Sequence, residues 1–141
     1  MRKETIPYTR KVAYYETDQM AIVHHSNYIR WFEEARIDFL SQIGIPYSKR
    51  EEEGILIPVL SASCEYKFAM RFGEQFRIRL KLTRFTGVKF YVQYEVTDPE
   101  TGKVHATGET SHCFVDKNMT PVRMKKEHPD IYERLMEYVE T

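Results

Sequence analysis

The chain has little of what builds a site by signature alone. Cysteine is scarce: 2 among 141 residues, Cys64 and Cys113, too few for a disulfide framework and without zinc-ligand spacing. Both are expected to be buried, reduced and dispensable. The 5 histidines do not gather either. His105, His112 and His128 are scattered, and the adjacent His24 and His25 have no third ligand at i+4 or another ligand spacing, so no metal is expected. With 6 glycines, the chain lacks a phosphate-cradling loop, a dinucleotide fingerprint and a nucleophile elbow, and nothing resembles a Ser-His-Asp arrangement. Net charge is also missing, 21 Lys+Arg against 21 Asp+Glu, which argues against broad attraction to nucleic acid or an anionic membrane. No apolar run approaches spanning length, and Met1 to Pro7 has no secretory apolar core. These absences lead to the expectation of one cytoplasmic domain over residues 1–141, long enough to bury a core without staples.

What is present is periodicity. From Tyr28, apolar side chains recur at Trp31, Phe32, Ala35, Phe39 and Ile43, while Arg30, Glu33, Glu34, Ile37 and Asp38 take the other side. This predicts a long helix with one wide buried face. Ser26 and Asn27 are expected to cap its start, and Gly44 and Pro46 to stop it. Tyr8–Tyr15 reads as a first strand. Tyr47–Gly54 is charged and reads as a solvated linker rather than a helical turn. Ile55–Phe68 reads as a strand, with Leu60, Ala62, Cys64, Tyr66 and Phe68 on its core face.

The next three strands alternate cleanly. Phe76, Ile78, Leu80 and Leu82 oppose Arg77, Arg79, Lys81 and Thr83. Thr86-Gly87 closes a hairpin into Val88–Thr97, and a turn at Asp98–Gly102 leads into Val104–Val115. Ile131, Leu135, Tyr138 and Val139 give a short C-terminal helix, with Asp130 as its expected cap. Tight turns imply an α+β fold, an antiparallel sheet covered by the single large helix.

Asp18 is the acid between Thr17 and that helix. An Asp before a helix is ordinarily a cap, but Asp18 lies well upstream of Ser26 and Asn27, which are expected to fill that role. His25 places its backbone N–H near the helix start, where free donors and partial positive charge suit a developing oxyanion. Its imidazole can also be structural. Tyr14, Tyr15 and Tyr28 suit either a pocket lining or core packing.

The run Glu16-Thr17-Asp18 through His25-Ser26-Asn27-Tyr28 into Arg30-Trp31-Phe32-Glu33-Glu34-Ala35-Arg36 resembles the hotdog-fold acyl-CoA thioesterases of the 4-hydroxybenzoyl-CoA thioesterase class, particularly the YbgC-like branch. The resemblance implies a hotdog fold, an antiparallel β-sheet wrapped around one long central α-helix. It implies hydrolysis of an acyl thioester of coenzyme A or acyl carrier protein, with Asp18 as catalytic carboxylate and the His25 backbone N–H on the thioester oxygen. Tyr15 and Tyr28 would bind substrate, and no cofactor is needed. Arg77, Arg79, Lys81, Arg84 and Lys89 would either touch coenzyme A phosphates or form a solvated face.

The resemblance further implies homo-oligomers, dimers joined edge to edge and paired into tetramers, with each active site built from two subunits. The family usually carries Gly where this chain has Ala21, a departure because Ala tolerates positive φ poorly. Two alternatives are a hotdog hydratase or dehydratase, for which Glu33 and Glu34 fall on the wrong helix side, and a noncatalytic acyl-CoA-binding protein.

Overall fold

A computed structural model describes residues 4–140; part of the segment read for a leader, Met1–Lys3, lies outside the described residues. Five strands, β1 (Tyr8–Lys11), β2 (Val59–Tyr66), β3 (Gln75–Phe85), β4 (Lys89–Thr97) and β5 (Val104–Cys113), form one sheet in the order β1-β3-β4-β5-β2. Every pairing is antiparallel. The helices are α1 (Ser26–Gln42), α2 (Tyr47–Glu52), α3 (Met124–Glu127) and α4 (Pro129–Glu137).

The alternation in β3 and β4 holds, with Phe76, Ile78, Leu82, Phe90, Val92, Tyr94 and Val96 buried. A bulge between Leu82 and Arg84 shifts the face, so Phe85 is buried as well. The 17 residues of α1 bury Tyr28, Trp31, Phe32, Ala35 and Phe39 as expected, each full burial of a large apolar side chain stabilising by roughly 1.5–3 kcal/mol. Trp31 packs on Phe76 of β3 with centroids 4.3 Å apart, and Phe32 stacks on Tyr94 of β4 at 4.3 Å and 9°. Both rings reach over the middle of the sheet.

Four expectations fail for physical reasons. The first strand stops at Lys11, because Tyr14–Glu16 turns into a 3-10 helix when Glu16 Oε1 accepts the Ala13 N–H at 2.8 Å. The 47–54 linker is helical: α2 buries Arg50 and closes at Gly54, whose φ of 79° only glycine adopts without strain. In β2 the supposed core face is open, with Leu60 49% and Tyr66 51% exposed. That strand lies at the sheet edge, with β5 as its one neighbour. Asp130 sits inside the first turn of α4 and makes no cap, since Pro129 opens that helix after His128.

Two backbone positions fix the geometry. Gly108 of β5 lies under α1, where a Cβ would overlap the Phe32 ring. We expect Gly108→Ala to cost about 2–3 kcal/mol through overpacking, lowering the Tm by about 5–10 °C in a thermal melt. Ala21 is the opposite case, since it holds a φ of 62°, a left-handed conformation that costs an L residue roughly 1–2 kcal/mol. Ala21→Gly relieves this and increases unfolded-state entropy, for a net gain of about 0.5–1 kcal/mol. A Tm higher by about 2–3 °C is the expected calorimetric result.

Candidate active site

Between β1 and α1 the chain makes a loop that closes on itself. Thr17 bridges to Val23, the Asp18 N–H donates to the Ile22 carbonyl at 2.9 Å, and the Ala21 N–H donates to the Asp18 carbonyl at 2.9 Å. Asp18 Oδ1 accepts the Met20 N–H at 2.8 Å, an Asx turn within the loop and not a cap on α1. Its other oxygen has no partner among the described residues.

The entry to α1 is built differently from expectation. Ser26 and Asn27 do not cap. The Ser26 N–H donates to His24 Nδ1 at 3.2 Å, while the buried Asn27 donates from Nδ2 to the Glu16 carbonyl at 2.9 Å and the His24 carbonyl at 3.2 Å. A short side chain one or two positions inside the helix cannot reach back to the first-turn amides, whereas the ring of His24 is placed for it. Along this entry, Val23 N–H donates to Met70 O, His24 N–H to Glu16 O, Asn27 N–H to His24 O and Tyr28 N–H to His25 O. The His25 N–H has no acceptor among the described residues. It is left as a donor at the positive end of a helix.

Asp18 and His25 open on the same cavity of about 230 Å³, whose walls include Tyr28, Tyr66, Lys67 and Phe68. Tyr28 is buried, and its phenol is pushed up to about 12, first by burial and then by Cys64, Tyr66 and Glu74 nearby. It stays neutral as a dry wall. Tyr66 stands edge-on to Tyr28 at 4.9 Å, and its hydroxyl donates to the His25 carbonyl at 3.3 Å.

The structure thus brings Asp18, His25 and Tyr28 together. It does not bring Tyr15, which is 84% exposed on the 3-10 turn outside the cavity. Tyr66, Lys67 and Phe68 were missed as site residues. The available signal was their position where the alternation of β2 runs out; the sequence pattern put Tyr66 and Phe68 in the core and Lys67 on a wet face.

The β3 cations lie elsewhere, Arg79 and Lys81 lining a separate hollow of about 610 Å³ that also touches Gln93, Glu95 and Glu109. No acid of α1 lines the Asp18 cavity. Glu34 is taken up by the Tyr8 hydroxyl at 2.7 Å and Arg10 at 2.8 Å, and Glu33 is exposed. Cys64 and Cys113 are free thiols, half-buried and buried. Among the described residues no three His, Cys, Asp or Glu side chains gather to hold a metal, and no helix is long and apolar enough to cross a membrane.

Known proteins resemble this chain. The chain is 42% identical over 120 residues to an Aquifex aeolicus protein provisionally named an esterase, covering 85% of this chain and 91% of that one. It is 34% identical over 121 residues to YneP of Bacillus subtilis, provisionally named an acyl-CoA thioesterase, covering 85% and 87% of the two. The solved structure of DHNA-CoA thioesterase from Staphylococcus aureus superposes with a TM-score of 0.88 at 28% identity, over 93% of this chain and 88% of that one. The profile of the thioesterase-like superfamily matches residues 12–135. The five-stranded antiparallel sheet and these likenesses agree: the chain belongs to the thioesterase-like superfamily, with the hotdog thioesterase fold.

Proposed function

We propose that this protein hydrolyses an acyl thioester of coenzyme A to a free carboxylic acid and a thiol, with Asp18 as the reacting carboxylate and the His25 N–H as oxyanion donor. One observation carries the assignment: Asp18, whose second carboxylate oxygen has no partner among the described residues, and His25, whose amide at a helix start has no acceptor among them, line the same cavity. As the thioester carbonyl turns tetrahedral, charge gathers on its oxygen, and a preorganised donor of this kind is worth about 3 kcal/mol.

Asp18 then acts in one of two ways. As general base it takes a proton from the attacking water, the C–S bond breaks, and the proton goes to the departing thiolate. As nucleophile it forms a mixed anhydride with release of thiolate, and water cleaves the anhydride. Neither route calls on a cofactor. Tyr28, Tyr66 and Phe68 provide apolar walls for the acyl group. The relatives named thioesterases support the reaction class. On its Glu16–Arg36 motif we place the chain in the 4-hydroxybenzoyl-CoA thioesterase class, YbgC-like branch, as one cytoplasmic domain whose sheet wraps α1. Acyl carrier protein is the alternative carrier. A hydratase would need an acid of α1 in the cavity, and Glu34 is bound to Tyr8 and Arg10 instead.

The protein works as a homo-oligomer. β2 pairs with β5 on one side only, and Val59, Leu60 and Tyr66 are about half exposed along it. An open edge flanked by apolar side chains favours pairing with another strand. A dimer joined at β2 brings a second subunit toward Tyr66 and the cavity, and dimers pair into tetramers.

Two measurements follow. Asp18→Asn keeps shape but can neither accept a proton nor attack, so kcat on a good acyl-CoA should fall about 10²-fold or more, with substrate binding and Tm retained. Wild-type kcat in a folded Asp18→Asn variant contradicts the assignment, and binding without turnover by the wild type would mark a noncatalytic acyl-CoA binder. Light scattering at micromolar concentration should give the mass of a dimer or tetramer; a monomer contradicts the β2 pairing.

A further inference from the structure

Beneath the loop lies a buried carboxylate that the chemistry above does not use. Glu16 is 4% exposed. Its Oε1 accepts the Ala13 N–H at 2.8 Å and meets Arg10 Nη2 at 2.8 Å, while its Oε2 accepts the indole N–H of Trp31 at 2.8 Å. Arg10 continues to Glu34, which also takes the Tyr8 hydroxyl. The guanidinium of Arg10 rides over the Trp31 ring at 5.6 Å. Every oxygen of the carboxylate is therefore engaged, and the network ties β1, the 3-10 turn and α1 into one body.

A buried ion pair is a poor device for stability alone, since well-packed apolar side chains of similar volume do as well or better. What distinguishes Glu16 is its backbone. Its carbonyl accepts both the His24 N–H at 2.9 Å and Asn27 Nδ2 at 2.9 Å, so the loop that carries Asp18 leaves from Glu16 and returns to it. Apart from its internal bonds and the Val23 N–H to the Met70 carbonyl, the loop has few side-chain anchors: Met20 is 70% exposed, Ala21 is exposed and strained, and of its apolar side chains Val23 alone is buried. Trp31, the other end of the clamp, is fully buried on the rigid face of α1 and touches Tyr28 at 5.0 Å.

We infer that Glu16 is a positioning residue for the reaction, its side chain locked to Trp31 and Arg10 so that its carbonyl sets the spacing between Asp18 and the His25 N–H. Arg10 acts through Glu16 and Asn27 through the carbonyl. None of the three lines the cavity. The inference rests on the proposed thioesterase reaction for its kinetic consequence but not for its structural one. Misplacing a reacting group by about 1 Å costs on the order of 10²-fold in rate, whereas the cavity walls that bind the acyl group are left in place.

The test compares wild type with Glu16→Gln, which keeps the shape but turns an amide N–H₂ toward groups that are themselves donors. With benzoyl-coenzyme A as probe, kcat should fall about 10- to 100-fold while KM changes less than about twofold. Hydrogen exchange of the His24 amide should quicken about 10-fold or more as its bond to Glu16 O loosens, with the Tyr94 amide in β4 unchanged. Trp31→Phe keeps the packed ring and deletes only the N–H, and should lower kcat in the same direction by a smaller factor. Wild-type kcat in Glu16→Gln overturns the inference, as does unchanged His24 exchange. So does an activity loss matched by equal quickening at His24 and Tyr94, which marks plain unfolding. If wild type turns over no acyl-CoA, the proposed reaction fails, and the exchange comparison still decides whether Glu16 positions the loop.

Discussion

Phe32 lies flat against Tyr94 and over the bare backbone of Gly108, and this close approach sets how far α1 stands from the sheet. An aromatic pair of this kind contributes about 0.5–1.5 kcal/mol beyond its buried area, but its geometric effect matters more. Because α1 is seated by Phe32 at its middle and by Trp31 on Phe76, its first turn is held at a fixed height above the strands. The His25 amide and the Tyr28 ring are carried with it.

The polar groups of this molecule are divided between two jobs. Within the core, Tyr94 and Thr110 share a hydrogen bond at 2.6 Å, and Thr110 also meets His112 Nε2 at 2.8 Å. His112 is pushed down to about 3, first by burial and then by the positive charge of Arg36. It remains neutral near physiological pH and serves packing, stacked on Phe90. At the helix start the arrangement is open: His25 is exposed, and among the described residues its amide has no acceptor and one Asp18 oxygen has no partner. The core is not fully satisfied, since His112 Nδ1 and the Nε atoms of Arg36 and Arg50 are buried without a hydrogen-bond partner among the described residues; Asp18 and His25 differ in lining a cavity, where a substrate can supply the missing partners.

The helix and the strands β3 and β4 were legible in the sequence because each is covered on one face and wetter on the other, the condition under which periodicity reports burial; β5 was legible from its length and turns although Glu109 is its one exposed residue. β2 obeys the same alternation, yet Leu60 and Tyr66 are exposed; a period of two cannot distinguish a face meant for the core from one beside an open edge. The 47–54 stretch read as solvated because its charges are many, but Lys, Arg and Glu are good helix formers and Arg50 turns inward. Of the site, Asp18, His25 and Tyr28 were legible from a local motif. Tyr66, Lys67 and Phe68 reach the same cavity through tertiary pairing of β2 with β5, which no local spacing encodes. Tyr15 shows the converse: it is near Asp18 in sequence, but the 3-10 turn at Tyr14–Glu16 directs it outward.

Glu16 was visible only as a member of a motif, since its partners Arg10 and Trp31 flank it at separations that match no single helix or strand. Hydrolysis of an acyl thioester at the Asp18 cavity is tested most directly by thiol release from a panel of aliphatic and aromatic acyl-CoAs. The wild-type protein should turn over at least one class, with free acid and thiol formed in equal amounts. Binding of these acyl-CoAs without release of thiol from any of them would contradict it.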